Sequence, residues 1–211
     1  EQDLHLSGLL VGSNAARDPY ASRRKVDIYD AKADAEAILN AIGAPAKAQI
    51  NRKLAGWWHP GRAGNIALGP NLLASFGEIH PRVLRHYGIK GVAVGFTIHV
   101  ANVPLPKTRT PSRPALMLSD LQAVERDFAF VVDGNVEALT LVNAAAGADK
   151  ALIERVTVFD QFTGLEGGKK SIAITARLQP RDKTLTDAEI EAVAAKIVEK
   201  VGKATGGVLR A

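Results

Sequence analysis

Over residues 126–132 apolar and polar positions alternate, with Phe128, Phe130 and Val132 on one side of an extended segment and Asp127, Ala129 and Val131 on the other. The same period returns after residue 169. There Ile172, Ile174, Ala176 and Leu178 share one face, opposite Ser171, Ala173, Thr175 and Arg177. A helix-like run separates the first of these strands from a third extended stretch, Val158-Phe159-Asp160-Gln161-Phe162. Thr186 and Glu189 form a capping box that opens a last helix. In that helix Asp187, Glu189 and Glu191 precede Lys196, Lys200 and Lys203, the order that suits a helix dipole and a solvated face. A short terminal strand follows. Strand, helix, strand, strand, helix, strand is a ferredoxin-like βαββαβ unit, a fold that serves many functions and decides none. Its bulky sets should pack on the two helices, leaving Ala129, Ser171, Ala173, Thr175 and Arg177 on an open face.

The first half has a different rhythm. Residues 4–11 alternate as a strand, in which Gly8 marks a bulge or a close approach. Residues 17–25 read as a polar loop and residues 26–30 as a further short strand. Ala35, Ile38, Leu39 and Ile42 predict a helix over 31–42 that Gly43 stops. Strands are expected over 48–54, 66–68, 72–77 and 92–100, with a short helix over 81–87 that carries Pro81 in its first turn. The pattern is α+β and mostly antiparallel.

Between the halves, residues 103–114 read Val-Pro-Leu-Pro-Lys-Thr-Arg-Thr-Pro-Ser-Arg-Pro, four prolines and three cations in twelve positions. Such a stretch sustains neither a helix nor a central strand and reads as an extended connector. The expected division is therefore 1–105, a linker at 106–117, and 118–211. No internal repeat is visible. The chain opens at Glu1 without an initiator methionine, which predicts a piece of something longer.

Charge is divided unequally. Residues 1–117 hold 15 Lys and Arg against 8 Asp and Glu, and residues 118–211 hold 12 against 14. A basic surface attracts nucleic acid through phosphate neutralisation, but here the excess belongs to the first half. The total absence of cysteine removes disulfides, thiolate metal sites and cysteine nucleophiles. No apolar run approaches the ~20 residues of a membrane span, so no membrane partner and a cytoplasmic location are expected.

Candidate chemistry is sparse. His59-Pro60-Gly61 and Glu78-Ile79-His80-Pro81 form two His-Pro pairs, yet no third histidine stands at a spacing that would complete a zinc site. Turn-forming roles are expected for His59, Pro60, Gly61, Glu78, His80 and Pro81. Gly164-Leu165-Glu166-Gly167-Gly168-Lys169-Lys170-Ser171 suggests a phosphate loop and fails as one, with Lys170 where Ser or Thr is needed and Thr163 where glycine is needed. A glycine-rich hairpin between antiparallel strands is the better reading, with Lys169 and Lys170 still placed to meet phosphate. The central strands lack the stacking aromatics of an RNA-recognition motif. No Gly-x-Ser-x-Gly turn occurs, and no catalytic constellation or metal site is expected.

Seven motifs in order nevertheless resemble one family. These are Asp27-Ile28-Tyr29-Asp30-Ala31-Lys32-Ala33-Asp34, His59-Pro60-Gly61-Arg62-Ala63, Gly77-Glu78-Ile79-His80-Pro81, Arg126-Asp127-Phe128-Ala129-Phe130-Val131-Val132, Phe159-Asp160-Gln161-Phe162-Thr163-Gly164, Gly168-Lys169-Lys170-Ser171 and Thr184-Leu185-Thr186-Asp187. Together they resemble the C-terminal portion of the bacterial phenylalanyl-tRNA synthetase beta subunit. The resemblance implies that residues 1–105 are the later part of a non-catalytic, class II synthetase-like antiparallel-sheet module that packs on the alpha subunit. It implies that residues 118–211 are a ferredoxin-fold anticodon-binding domain.

The resemblance further implies that Phe162 stacks on an anticodon base of tRNA(Phe) and that Ser171 lies nearby, with Lys169 and Lys170 beside them. Phe162 stands where many members carry tyrosine, which removes a hydroxyl and keeps the stacking ring. Leu118-Ser119-Asp120-Leu121-Gln122 replaces an Arg-(Phe or Tyr)-Pro turn of many members. The implied partners are an alpha subunit, in an alpha2beta2 heterotetramer, and tRNA(Phe). ATP and Mg2+ belong to the whole ligase, and no cofactor is expected in this chain. The competing expectation is a structural scaffold for the alpha subunit with little RNA contact.

Overall fold

The computed structural model describes residues 2–20, 22–45, 48–105, 115 and 118–210. The chain divides into two compact units, Glu1–Arg113 and Pro114–Ala211. The expected linker at 106–117 lies, Ala115 apart, outside the described residues.

In the first unit β1 (His5–Val11), β2 (Gln49–Asn51), β3 (Trp58–Leu68), β4 (Asn71–Ile79) and β5 (Ala93–His99) form an antiparallel sheet in the order β1-β5-β4-β3-β2. Helix α1 (Ile28–Ala41) lays Ala31, Ala35 and Leu39 in one core with Leu73, Phe76, Val94, Phe96 and Ile98. The strand expected over 26–30 is instead the start of α1. Asp27 is its N-cap and accepts from the Tyr29 N–H at 2.8 Å, while the Asp30 carboxylate accepts from the Asp27 N–H at 2.8 Å. That reciprocal cap satisfies helix donors that no strand partner could reach, and it overrides the local alternation. Gly8 is a close approach: a β-carbon there would lie 2.5 Å from the Phe96 ring.

The His-Pro pairs take two different forms. Between Trp58 and Ala63 the register shifts, and Gly61 N–H donates to His59 Nδ1 at 3.1 Å within a bulge of β3. His80 caps α2 (Pro81–His86), accepting from the Arg82 N–H, with Pro81 in the first turn. Glu78 is not in a turn. It is buried in β4 and takes a two-pronged hydrogen bond from Arg62, whose guanidinium holds its carboxyl below the ordinary value against the opposing cost of burial.

In the second unit β6 (Val124–Asp133), β7 (Ile153–Phe162), β8 (Lys169–Leu178) and β9 (Val208–Leu209) form a sheet in the order β7-β8-β6-β9. With α3 (Ala138–Ala146) and α4 (Asp187–Thr205) this is the expected βαββαβ order. Phe128, Phe130, Ile172, Ile174, Ala176 and Leu178 form one core with Leu141 of α3 and Ile190, Val193 and Ile197 of α4. All helical cover therefore lies on one side of the sheet.

Helix α4 begins as the sequence predicts. Thr186 Oγ1 accepts from the Glu189 N–H, and Glu189 accepts from the Thr186 N–H at 3.0 Å. The Lys183 ammonium, 2.6 Å away, is the largest cause lowering the Glu189 carboxyl to about 2, with the Thr186 donors next. A depressed carboxyl stabilises the fold fully above its ordinary value of 4.5 and loses that contribution as pH falls toward about 2. Glu189→Gln should therefore be less stable than wild type at pH 6 and equal to it near pH 2, in urea titrations followed by far-UV circular dichroism. A gap that stays constant across that range would show that the charge is not responsible. Thr186→Ala should cost about 1 kcal/mol at neutral pH.

Candidate functional site

The connection from β7 to β8 is made by glycines. Gly167 and Gly168 have φ of 71° and 70°, a left-handed conformation open to glycine at little cost. They turn the chain through a short 3-10 turn, Glu166–Gly168, and Gly134 N–H donates to the Gly168 carbonyl at 2.9 Å. A side chain at Gly134 would sit 2.6 Å from that carbonyl, so β6 and the hairpin can approach only because Gly134 has none. This fixes where β8 starts, and hence which face each of its residues occupies.

Ser171 lies opposite Val131 on one side and Phe162 on the other. All three face away from the helices, since the intervening residues Val132 and Ile172 are buried in the core. The Phe162 ring lies over Gly164, where a β-carbon would come within 2.6 Å of it, and the residue remains 50% exposed. Ser171 is only 5% exposed, and its hydroxyl has no hydrogen-bond partner among the described residues. An unpartnered hydroxyl beside a half-exposed ring offers a hydrogen-bonding group next to a stacking surface.

The two lysines separate. Lys169 lies opposite Asp133 and shares the open side with Ser171, whereas alternation turns Lys170, opposite Val132, toward the helix-packed side. Lys169 is exposed, Lys170 is half-buried, and neither forms an ion pair among the described residues. Of the four residues expected to meet RNA, the structure brings Phe162, Ser171 and Lys169 onto one face and leaves Lys170 off it.

Farther along the open face the floor is Ala129 opposite Ala173, then Asp127 opposite Thr175, then Glu125 opposite Arg177. Thr175 Oγ1 donates to Asp127 Oδ1 at 2.6 Å. Arg177 is held between Glu154, at 2.8 Å, and Glu125, at 3.3 Å. The Asp127–Thr175 pair was not foreseeable as a unit. Alternation puts both residues on the open side, but only the β6–β8 register sets them opposite one another.

Among the described residues no cluster of three or more His, Asp or Glu is arranged to hold a metal. Nor, among the described residues, is any helix long and apolar enough to cross a membrane.

Comparison with known proteins identifies both units. Residues 119–210 match the ferredoxin-fold anticodon binding domain, and residues 1–100 match the phenylalanyl tRNA synthetase beta chain CLM domain. The phenylalanine--tRNA ligase beta subunit of Cereibacter sphaeroides is 71% identical over 216 residues, covering 100% of this chain and 27% of the relative. That of Ruegeria pomeroyi is 63% identical with the same coverage, and that of Rhodospirillum rubrum is 49% identical over 214 residues. The chain belongs to the phenylalanyl-tRNA synthetase beta-subunit family. It spans about a quarter of the length of these curated relatives, as their 27% coverage shows.

Within that beta-subunit family, the ferredoxin-fold unit accounts for the hairpin and open sheet face just described, and the CLM unit for the five-stranded sheet. The seven ordered motifs are distributed over both matches.

Proposed function

We propose that this chain supplies tRNA(Phe) anticodon binding and alpha-subunit association to a phenylalanine-tRNA ligase, in which ATP- and Mg2+-dependent phenylalanylation takes place on the alpha subunit of an alpha2beta2 assembly. The chain itself is non-catalytic in this reading and holds no cofactor. The observation that carries it is the half-exposed Phe162 ring beside the unpartnered Ser171 hydroxyl, on an open face of a unit that matches an anticodon-binding family. Aromatic stacking holds a base of any sequence, and a nearby hydroxyl adds an oriented hydrogen bond. Lys169 gives the same face one unpaired cation for the RNA backbone.

The first unit supports association through its exposed apolar residues. Leu9 is 60% exposed and Val11 54% exposed on the edge strand β1, and Trp57 is 57% exposed. A long uncharged strand edge calls for a protein cover. The scaffold alternative draws on the excess of acidic over basic residues in 118–211, and it predicts unchanged tRNA affinity once those residues are deleted from the assembled ligase.

Salt dependence tests the RNA reading. In titrations of the assembled enzyme with tRNA(Phe), Lys169→Gln should weaken binding and make the log–log salt slope shallower by about one. Lys170→Gln, on the other side of the sheet, should leave the slope unchanged. Equal slopes for wild type and Lys169→Gln would take Lys169 out of the interface.

A further inference from the structure

The open face continues beyond Phe162 and Ser171 as three successive cross-strand rows. The first is Val131, Ser171 and Phe162, the second Ala129, Ala173 and Asp160, and the third Asp127, Thr175 and Thr157. Rows two residues apart along a strand are ~7 Å apart, so the first and third are separated by ~14 Å. Stacked bases repeat every ~3.4 Å and lie farther apart when splayed, so this length takes a run of about three nucleotides. The middle row has alanine on both β6 and β8, which leaves a low floor between the Phe162 ring and the third row. Arg177, clamped between Glu125 and Glu154, closes the far end with its own charge already met.

The third row has unused capacity. Asp127 is exposed, and one of its oxygens accepts the Thr175 hydroxyl at 2.6 Å. The other oxygen has no partner among the described residues. Thr175 thereby fixes the direction of the carboxylate and leaves one of its oxygens free to accept. At the opposite end, the unpartnered Ser171 hydroxyl gives this face a second group free to bond a polar ligand.

We propose that Asp127, oriented by Thr175, reads one base of a single-stranded run lying along β8, and selects a base that presents an exocyclic amine over uracil. A carboxylate accepts hydrogen bonds and donates none, so it pairs with the amino group of adenine, cytosine or guanine. In uracil the carbonyl oxygens beside the ring N–H would face the carboxylate and repel it. Asp127 is thus a specificity residue at a distance from the stacking ring, and Thr175 positions it. The inference rests on the anticodon reading given above.

The test uses this chain and RNA stem–loops carrying the tRNA(Phe) anticodon, with uracil substituted in turn at each anticodon position. Wild type should lose about tenfold in affinity for uracil at the position held by Asp127, the scale of one hydrogen bond to a charged group. Asp127→Asn keeps the shape and acceptor oxygen and adds an N–H donor, so it should accept uracil there and remove the penalty. Thr175→Val should reduce the penalty without abolishing binding. Full discrimination retained by Asp127→Asn, in a variant that binds the parent loop like wild type, overturns this inference and leaves the anticodon reading standing. Failure of wild type to bind any of the loops overturns both.

Discussion

Replacing Phe162 by alanine should weaken tRNA(Phe) binding by about 1–3 kcal/mol, roughly five- to 150-fold, and leave the folding stability of the chain almost unchanged. The expectation follows from the ring's position. It sits at the end of edge strand β7, rests on Gly164, and keeps 50% of its surface in water, so little core packing is lost with it. What it offers is an apolar face on which a base can stack. Phe162→Tyr should restore nearly all of the affinity, because stacking accepts either ring, whereas Phe162→Leu should not. The measurement is the KM for tRNA in aminoacylation by the assembled alpha and beta subunits, alongside direct binding. Unchanged binding in Phe162→Ala would show that the ring only packs on its own loop.

The opposite separation is expected at Phe130, two residues from Phe128 on β6. Its side chain is fully buried and packs near-parallel to Phe128, with ring centroids 6.2 Å apart, in the core under both helices. Phe130→Ala should cost about 3–5 kcal/mol, through lost burial and the cavity left behind. Folded domains are stable by only ~5–15 kcal/mol, so a loss of that size removes much of the margin. Both tryptophans, Trp57 and Trp58, belong to the first unit, which makes the two units separately observable. In urea, the circular dichroism of α3 and α4 should report an early transition while tryptophan fluorescence stays as in wild type. If both signals move together, the two units unfold as one.

These two phenylalanines show what a sequence pattern can distinguish. Phe130 lies within a strict alternation, and burial on the helix-packed face follows from its period. Phe162 ends a strand whose outward residues are exposed on both sides of the alternation, so the period alone assigns it no face. Its significance came from motif order, and its geometry came from pairing with Ser171.

Where sequence reading went astray, a local pattern lost to a reciprocal contact. Residues 26–30 alternate like a strand, but the Asp27–Asp30 capping box makes Asp27 the N-cap and residues 28–30 the first turn of α1. Residues 66–68 read as a short strand, while β3 extends back to Trp58. The His-Pro-Gly segment that looks like a break is absorbed as a bulge opposite β4. Glu78, grouped by sequence with a turn, is a buried strand residue whose charge is met by Arg62.

The sequence by itself determined the order of elements, the inward and outward sides of β6 and β8, the cap of α4 and the family, because each depends on short periods or ordered motifs. Tertiary structure alone decided the register. It set Phe162 beside Ser171 and placed Thr175 against Asp127. The physical reason is that a strand's period names a face but not a neighbour. Which residues meet across a sheet depends on where the hairpin closes, and here that is fixed by Gly167, Gly168 and the close approach at Gly134.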